Sequence, residues 1–133
     1  MTLLGVPVTF CDLLSSKTKQ FGFSLPLANG NLVFLGDEPC HPTNAPLLQD
    51  AALVIHEAFC LYSERDRFKP YEKNHATVKE AAELAAKYNV SKLLLFHTED
   101  TNLRERKARY TREAKRHFGG GVVVPDDLET IEL

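Results

Sequence analysis

No apolar run in this sequence approaches the roughly 20 residues that cross a bilayer, so no membrane-spanning helix is expected. The first residues, Met1-Thr2-Leu3-Leu4-Gly5, have neither a basic region nor a long apolar one, so a secretion signal is not expected either. Cysteine is scarce. Cys11, Cys40 and Cys60 are an odd, widely spaced set without a Cys-x-x-Cys pair, which argues against a disulfide or zinc-finger framework and for a reduced, intracellular protein. A charge surplus is missing too: 16 basic against 18 acidic residues leave −2, and nothing global directs the chain to nucleic acid or to an anionic membrane. Internal repeats and low-complexity tracts are absent. The expectation is one soluble, cytoplasmic domain, since 133 residues suffice for a core of its own.

The chain is organised around residues 53–97. An apolar run, Leu53-Val54-Ile55, ends in His56-Glu57. Asn74-His75-Ala76-Thr77 leads into a helical pattern, and Leu93-Leu94-Leu95-Phe96 closes on His97. This reads as strand, crossover helix and strand, with ionisable residues where the strands stop and the helix starts. In a parallel α/β unit those positions lie at the carboxyl ends of the strands, where ligands bind. Asp37 ends the earlier run Leu32-Val33-Phe34-Leu35-Gly36 in the same manner.

Before that unit the pattern is antiparallel. Residues 6–11 read as a short strand, and 21–27 alternate as a half-buried strand. Asn29-Gly30 marks a hairpin turn and 32–35 the returning strand. Pro39, Pro42 and Pro46 make a loop with room for a short helix near 45–49. Residues 59–74 show no periodicity and read as a long functional rim. Helix 77–88 has Val78, Ala81, Ala82, Ala85 and Tyr88 on one face, and Thr77 with Glu80 has capping-box spacing. A second helix, 102–118, is basic on its exposed side, and Gly119-Gly120-Gly121 is expected to end it in the left-handed conformation. Residues 122–124 and 130–133 read as two short strands around Asp126-Asp127.

Asp37, His56, Glu57, His75 and His97 are the candidates for chemistry. Asp oxygen and His nitrogen both ligate zinc or manganese. No local chelate is visible in their spacing, and each has a structural alternative: Asp37 a turn residue, His97 a hydrogen-bonded strand end, His75 a helper in capping the helix. His41 and His117 are read as structural. The basic helix is a solvated face by default, with a phosphate-facing role left open.

The succession Phe34-Leu35-Gly36-Asp37, Ala52-Leu53-Val54-Ile55-His56-Glu57-Ala58, Asn74-His75-Ala76-Thr77-Val78-Lys79-Glu80 and Leu93-Leu94-Leu95-Phe96-His97 resembles the metallo-β-lactamase superfamily. Within it, the order is similar to the ribonuclease Z-like branch, and the likeness runs over residues 21–133. The resemblance implies hydrolysis of phosphodiesters or related esters at two metal ions, zinc or manganese. Asp37 would bridge the metals and His97 would be a terminal ligand of the second. His75 would donate a proton to the leaving oxygen, and His56-Glu57 would orient the ligands and His75. Two departures stand out. Phe59 replaces the threonine of the second motif, and Thr98-Glu99-Asp100 follows His97 where the family has a Ser-x-Arg-Tyr-like element.

The family's His-x-His-x-Asp-His segment, which supplies most ligands, is nowhere in the sequence. A catalytic zinc generally takes about three protein ligands, and here the resemblance implies Asp37 and His97. The resemblance therefore implies an α/β fold that is the C-terminal half of an αββα sandwich, a mixed sheet with two main helices forming a single domain over residues 1–133. One apolar sheet face would be left uncovered, which calls for an N-terminal half or a homo-oligomer as partner. The substrate class implied is a phosphodiester, with nucleic acid an open partner and no membrane. The alternatives are a non-catalytic half-domain that dimerises or binds through the open sheet, and a small α/β domain whose histidines are structural.

Overall fold

The computed structural model describes residues 1–132. Its centre is the hairpin and the parallel strands that follow it. Strands Phe21–Leu27 (β4) and Gly30–Phe34 (β5) pair antiparallel across Ala28-Asn29, one residue earlier than predicted. The positive backbone angle falls on Gly30 (φ 135°), where a side chain would also crowd Ala52.

The strand expected over residues 6–11 is split. Thr2–Leu3 (β1) and Val6–Pro7 (β2) form their own two-stranded ribbon, Val8 turns inward, and Thr9–Asp12 (β3) pairs with β4. Pro7 has no N–H for a longer ladder. Leu53–Glu57 (β6), Lys92–Phe96 (β7) and Gly121–Val123 (β8) then add in parallel to β5. The main sheet is six-stranded in the order β3-β4-β5-β6-β7-β8.

The rim predicted as a loop over residues 59–74 contains short helical turns instead. Tyr62–Glu64 and Tyr71–Lys73 are 3-10 turns, with a short helix Arg65–Phe68 (α1) between them. They are tied by contacts that leave no period in sequence: the Arg65 guanidinium lies 4.0 Å from the Tyr62 ring centre, and Lys73 Nζ lies 4.7 Å from that of Phe59. Val78–Lys87 (α2) starts with the expected capping box. The Thr77 hydroxyl accepts from the Glu80 N–H, and Glu80 accepts from the Thr77 N–H at 2.8 Å.

Leu103–His117 (α3) ends differently from the expectation. Phe118 turns extended and buries its ring, and none of the three glycines after it has a positive φ. A side chain at Gly120 would collide with the Phe118 ring and the Ser91 carbonyl, so room, and not handedness, is what glycine supplies there. Of the closing strand expected at 130–133, Thr130–Glu132 are not in a strand, and Leu133 lies outside the described residues. An ion pair and a hydrogen bond fasten this tail to α3 in place of a ladder, with Lys107 Nζ 2.7 Å from Glu129 and Arg106 donating to the Pro125 carbonyl at 2.9 Å.

One face of the sheet is packed. Val33, Leu35, Val54, Leu93, Leu95 and Val124 are each at most 1% exposed beneath α2 and α3. The other face follows from the register: Phe23, Phe34, Ile55, Leu94 and Val123 stand side by side across β4 to β8, and all are half-buried. An aromatic row crosses this open face. Ring centres are 6.4 Å apart for Phe10–Phe23, 5.2 Å for Phe23–Phe34 and 5.7 Å for Phe34–Phe96. Among the described residues, no helix is long and apolar enough to cross a membrane.

Candidate functional site

The carboxyl ends of β5, β6 and β7 meet at one rim because the three strands pair in parallel and in register. Asp37 follows β5 in a turn made by Gly36 (φ 68°), whose missing Cβ leaves room for Leu13. Glu57 is the last residue of β6. His97 follows β7 with a left-handed backbone (φ 53°), an uncommon conformation for a residue with a side chain. It is held there from both sides: Ala58 N–H donates to the Phe96 carbonyl at 3.0 Å, and Glu99 N–H to the Phe59 carbonyl at 2.7 Å. His75 arrives from the segment before α2, fixed by its own N–H on the Pro70 carbonyl at 2.9 Å.

These residues form one cluster. The His75 and His97 ring centres are 4.9 Å apart. Phe59 stacks on the other side of His75 at 5.0 Å and 21°. Glu57 is fully buried. Its Oε1 accepts the Ala76 N–H, while its Oε2 faces His75 Nδ1 at 3.6 Å, and neither of those last two atoms has a hydrogen-bond partner. Burial pushes the Glu57 carboxyl up to about 8, with the charges of Asp37 and Glu80 acting in the same direction. Burial, followed by the charges of His97 and Lys17, lowers the His75 imidazole below its ordinary value. Both shifts favour the uncharged forms, a carboxylic acid beside a neutral imidazole.

His56 points to the packed face. Its Nδ1–H donates to the Glu57 carbonyl at 2.6 Å, and its Nε2 accepts the Cys40 N–H at 3.3 Å, so the ring is neutral and satisfied. Burial also lowers its pKa. His41 accepts from Thr43 N–H, and His117 lies 3.6 Å from Glu83, both away from the cluster. Two contributors escaped the reading of the sequence. Lys17 reaches across to the Lys73 carbonyl at 2.7 Å, which brings a cation from the β3–β4 loop toward His75. Phe59 was visible only as a departure from a motif, and its stacking on His75 needs the fold.

The fit to a metal can be judged on the donors. Among the described residues, no group of three or more His, Cys, Asp or Glu side chains is placed to hold an ion. Asp37 follows β5 and His97 follows β7, with β6 between them, and among the described residues they lack the further donors that a catalytic zinc requires.

No family model matches the sequence. It is 31% identical over 130 residues to Ribonuclease Z of Methanothermobacter thermautotrophicus, a match that covers 97% of this chain and 40% of that protein. The chain thus spans about two fifths of the relative's length. Its fold is similar to the metallo-β-lactamase fold protein YhfI of Bacillus subtilis, with a TM-score of 0.74, 19% identity and coverage of 95% of this chain and 49% of that one. It is also similar to Zn(2+)-bound PqqB of Methylobacterium extorquens, with a TM-score of 0.71, 12% identity and coverage of 98% and 48%.

Proposed function

Since the chain has the metallo-β-lactamase fold and resembles ribonuclease Z along nearly its whole length, we propose that it is the C-terminal part of a metal-dependent phosphodiester hydrolase, with RNA as a substrate. The observation that carries this reading is the gathering of Asp37, Glu57, His75 and His97 at one rim, next to a sheet face that is apolar and open. Asp37 and His97 are this chain's share of a site for zinc or manganese, and the remaining donors come from an N-terminal segment that covers the open face. Cleavage of the diester by water is the reaction class; the chain alone does not perform it.

His75 and Glu57 handle the proton. In the neutral pair, Glu57 carries its proton on Oε2 and His75 carries one on Nε2. As the P–O bond breaks, His75 gives its Nε2 proton to the leaving oxygen and takes the Glu57 proton on Nδ1. Glu57 is left as a carboxylate, which the Ala76 N–H stabilises. The 3.6 Å gap between Oε2 and Nδ1 closes to a hydrogen bond in that step. Such a relay keeps a positive imidazolium from forming in a buried place, and general acid catalysis of this kind contributes about 10²- to 10⁴-fold.

The test is hydrolysis of a short RNA and of bis(4-nitrophenyl) phosphate by the chain alone and by the chain co-produced with a segment carrying His-x-His-x-Asp-His. Activity is expected only with the segment. Asp37→Ala should abolish it on both substrates. His75→Ala should cost about 100-fold or more on RNA and little on the nitrophenyl ester, whose leaving group needs no proton. Equal losses on the two substrates would remove His75 from the role of acid. A second reading, a non-catalytic half-domain that dimerises, rests on the same open face. A reconstituted complex without activity and a stable homodimer of the free chain would favour it.

A further inference from the structure

Charge is unevenly placed in this chain. Helix α3 holds seven basic and two acidic residues, whereas the rest of the chain holds nine basic and sixteen acidic. Three of the helix's cations are committed to the fold. Arg109 lies 2.7 Å from Glu64, Lys107 lies 2.7 Å from Glu129, and Arg106 donates to the Thr98 hydroxyl at 3.1 Å and to the Pro125 carbonyl. The other four, Arg104, Arg112, Lys115 and Arg116, are exposed, and among the described residues none of them stands in an ion pair. We infer that this face of α3 binds the sugar–phosphate backbone of RNA, the body of the substrate away from the bond that is cut. That the RNA is a substrate rests on the hydrolase reading above.

At about 100° per residue, the four cations fall within about a third of the circumference of α3 and along about 18 Å of its length. Ala108 sits within that arc and is exposed, so a phosphate backbone can come close to the helix. One carboxylate shares the arc, Glu105, which accepts from the Asn102 amide at 3.2 Å. Glu113 is turned away, its Oε1 accepting the Tyr62 and Lys79 N–H groups at 2.9 Å and 3.2 Å. The arc lies opposite Tyr110, which is buried in the core, so it faces away from the sheet. Its start is close to the rim, because Arg106 holds Thr98, the residue after His97. Helix electrostatics do not account for the pattern. Lys115 and Arg116 suit the negative end of the dipole, but Arg104 sits in the first turn, where a cation is unfavourable. Arg112 meets Lys115 at i, i+3 and Arg116 at i, i+4, spacings at which like charges repel. A polyanion offsets both effects. An anionic membrane is a poorer match, since no large apolar side chain lies within the arc to enter it.

The probes are a fluorescein-labelled RNA hairpin, poly-aspartate and phosphatidylserine vesicles, each titrated against the full chain. Affinity for the hairpin should fall about 60-fold between about 50 and about 200 mM salt, the slope of about −3 that four phosphate contacts give. Arg104→Gln, Arg112→Gln, Lys115→Gln and Arg116→Gln combined should bring that slope near zero, with the helical circular dichroism retained, since glutamine matches the helix propensity of both residues. Glu105→Gln should tighten binding about threefold. Lys69→Gln with Lys87→Gln, two exposed lysines elsewhere, should leave affinity within about twofold. Poly-aspartate and the vesicles should bind at least about tenfold more weakly than the hairpin. A slope unchanged in the fourfold variant, or either of those two probes binding as tightly as the hairpin, overturns the inference. In the reconstituted complex the fourfold variant should raise KM for the RNA hairpin, with kcat and the hydrolysis of bis(4-nitrophenyl) phosphate unchanged. Hairpin cleavage with an unchanged KM would remove this surface and leave the hydrolase reading. Hairpin binding that needs the four cations, in a complex that cleaves nothing, would remove the hydrolase reading and leave the surface.

Discussion

The two faces of the main sheet are both apolar, yet they live in different surroundings. Leu93 and Leu95 of β7 are fully buried under the helices, whereas Leu94 and Phe96 of the same strand are half-exposed on the open side. Strands that read as continuous apolar runs, without polar alternation, are those covered on both faces. β6 and β7 read that way and are covered on one. The aromatic row of the open face runs to Phe96, whose ring centre is 6.2 Å from that of His97, so the open face reaches the rim where His75 and His97 meet. Glu57 marks the boundary. By alternation it belongs with Ile55 on the open side, but the His75 segment seals it in.

The largest expected effect concerns that boundary. Glu57 is raised to about 8 in the folded chain, against roughly 4.3 when unfolded. Between those values the unfolded state has released a proton that the folded state retains, so stability falls as pH rises. From about pH 5 to about pH 8 the loss should approach 4 kcal/mol, and Glu57→Gln should flatten this part of a denaturation series. Next in size, Leu93→Ala on the packed face should cost about 3 kcal/mol in urea unfolding. On the open face, Phe34→Ala should cost only about 1 kcal/mol in the chain alone, mostly the loss of its contacts with Phe23 and Phe96; a cost equal to that of Leu93→Ala would erase the distinction between the faces. The smallest effect belongs to the cap that seats α2 over the packed face: Thr77→Ala should lower stability by somewhat under 1 kcal/mol, read in the same unfolding experiment.

Much of this was legible in the amino acids. Apolar runs that stop at Gly36-Asp37, His56-Glu57 and His97 locate the strand ends, and parallel pairing then carries those ends to one rim. The capping box at Thr77 and Glu80 was readable because it depends on local spacing. What could not be read depends on contacts between distant residues. Phe59 meets His75 only through the fold, and Lys17 approaches through a loop from the far side of the hairpin. The turns within 59–74 are held by cation–aromatic contacts with no period. The tail after β8 is tied by Lys107 and Glu129, so its alternation of apolar and polar residues reports no ladder. The absence of a His-x-His-x-Asp-His segment is plain in the sequence itself.

Whether Asp37 and His97 hold zinc only together with an N-terminal segment is decided by zinc content, measured by elemental analysis after purification without chelators. It would be made on the chain alone and on the chain co-produced with a segment carrying His-x-His-x-Asp-His. The expected result is well under one zinc per chain for the first and close to two for the complex, in line with a two-metal site, with both lost in Asp37→Ala and reduced in His97→Ala. A full complement of zinc in the chain alone, or zinc in the complex indifferent to both substitutions, would contradict it.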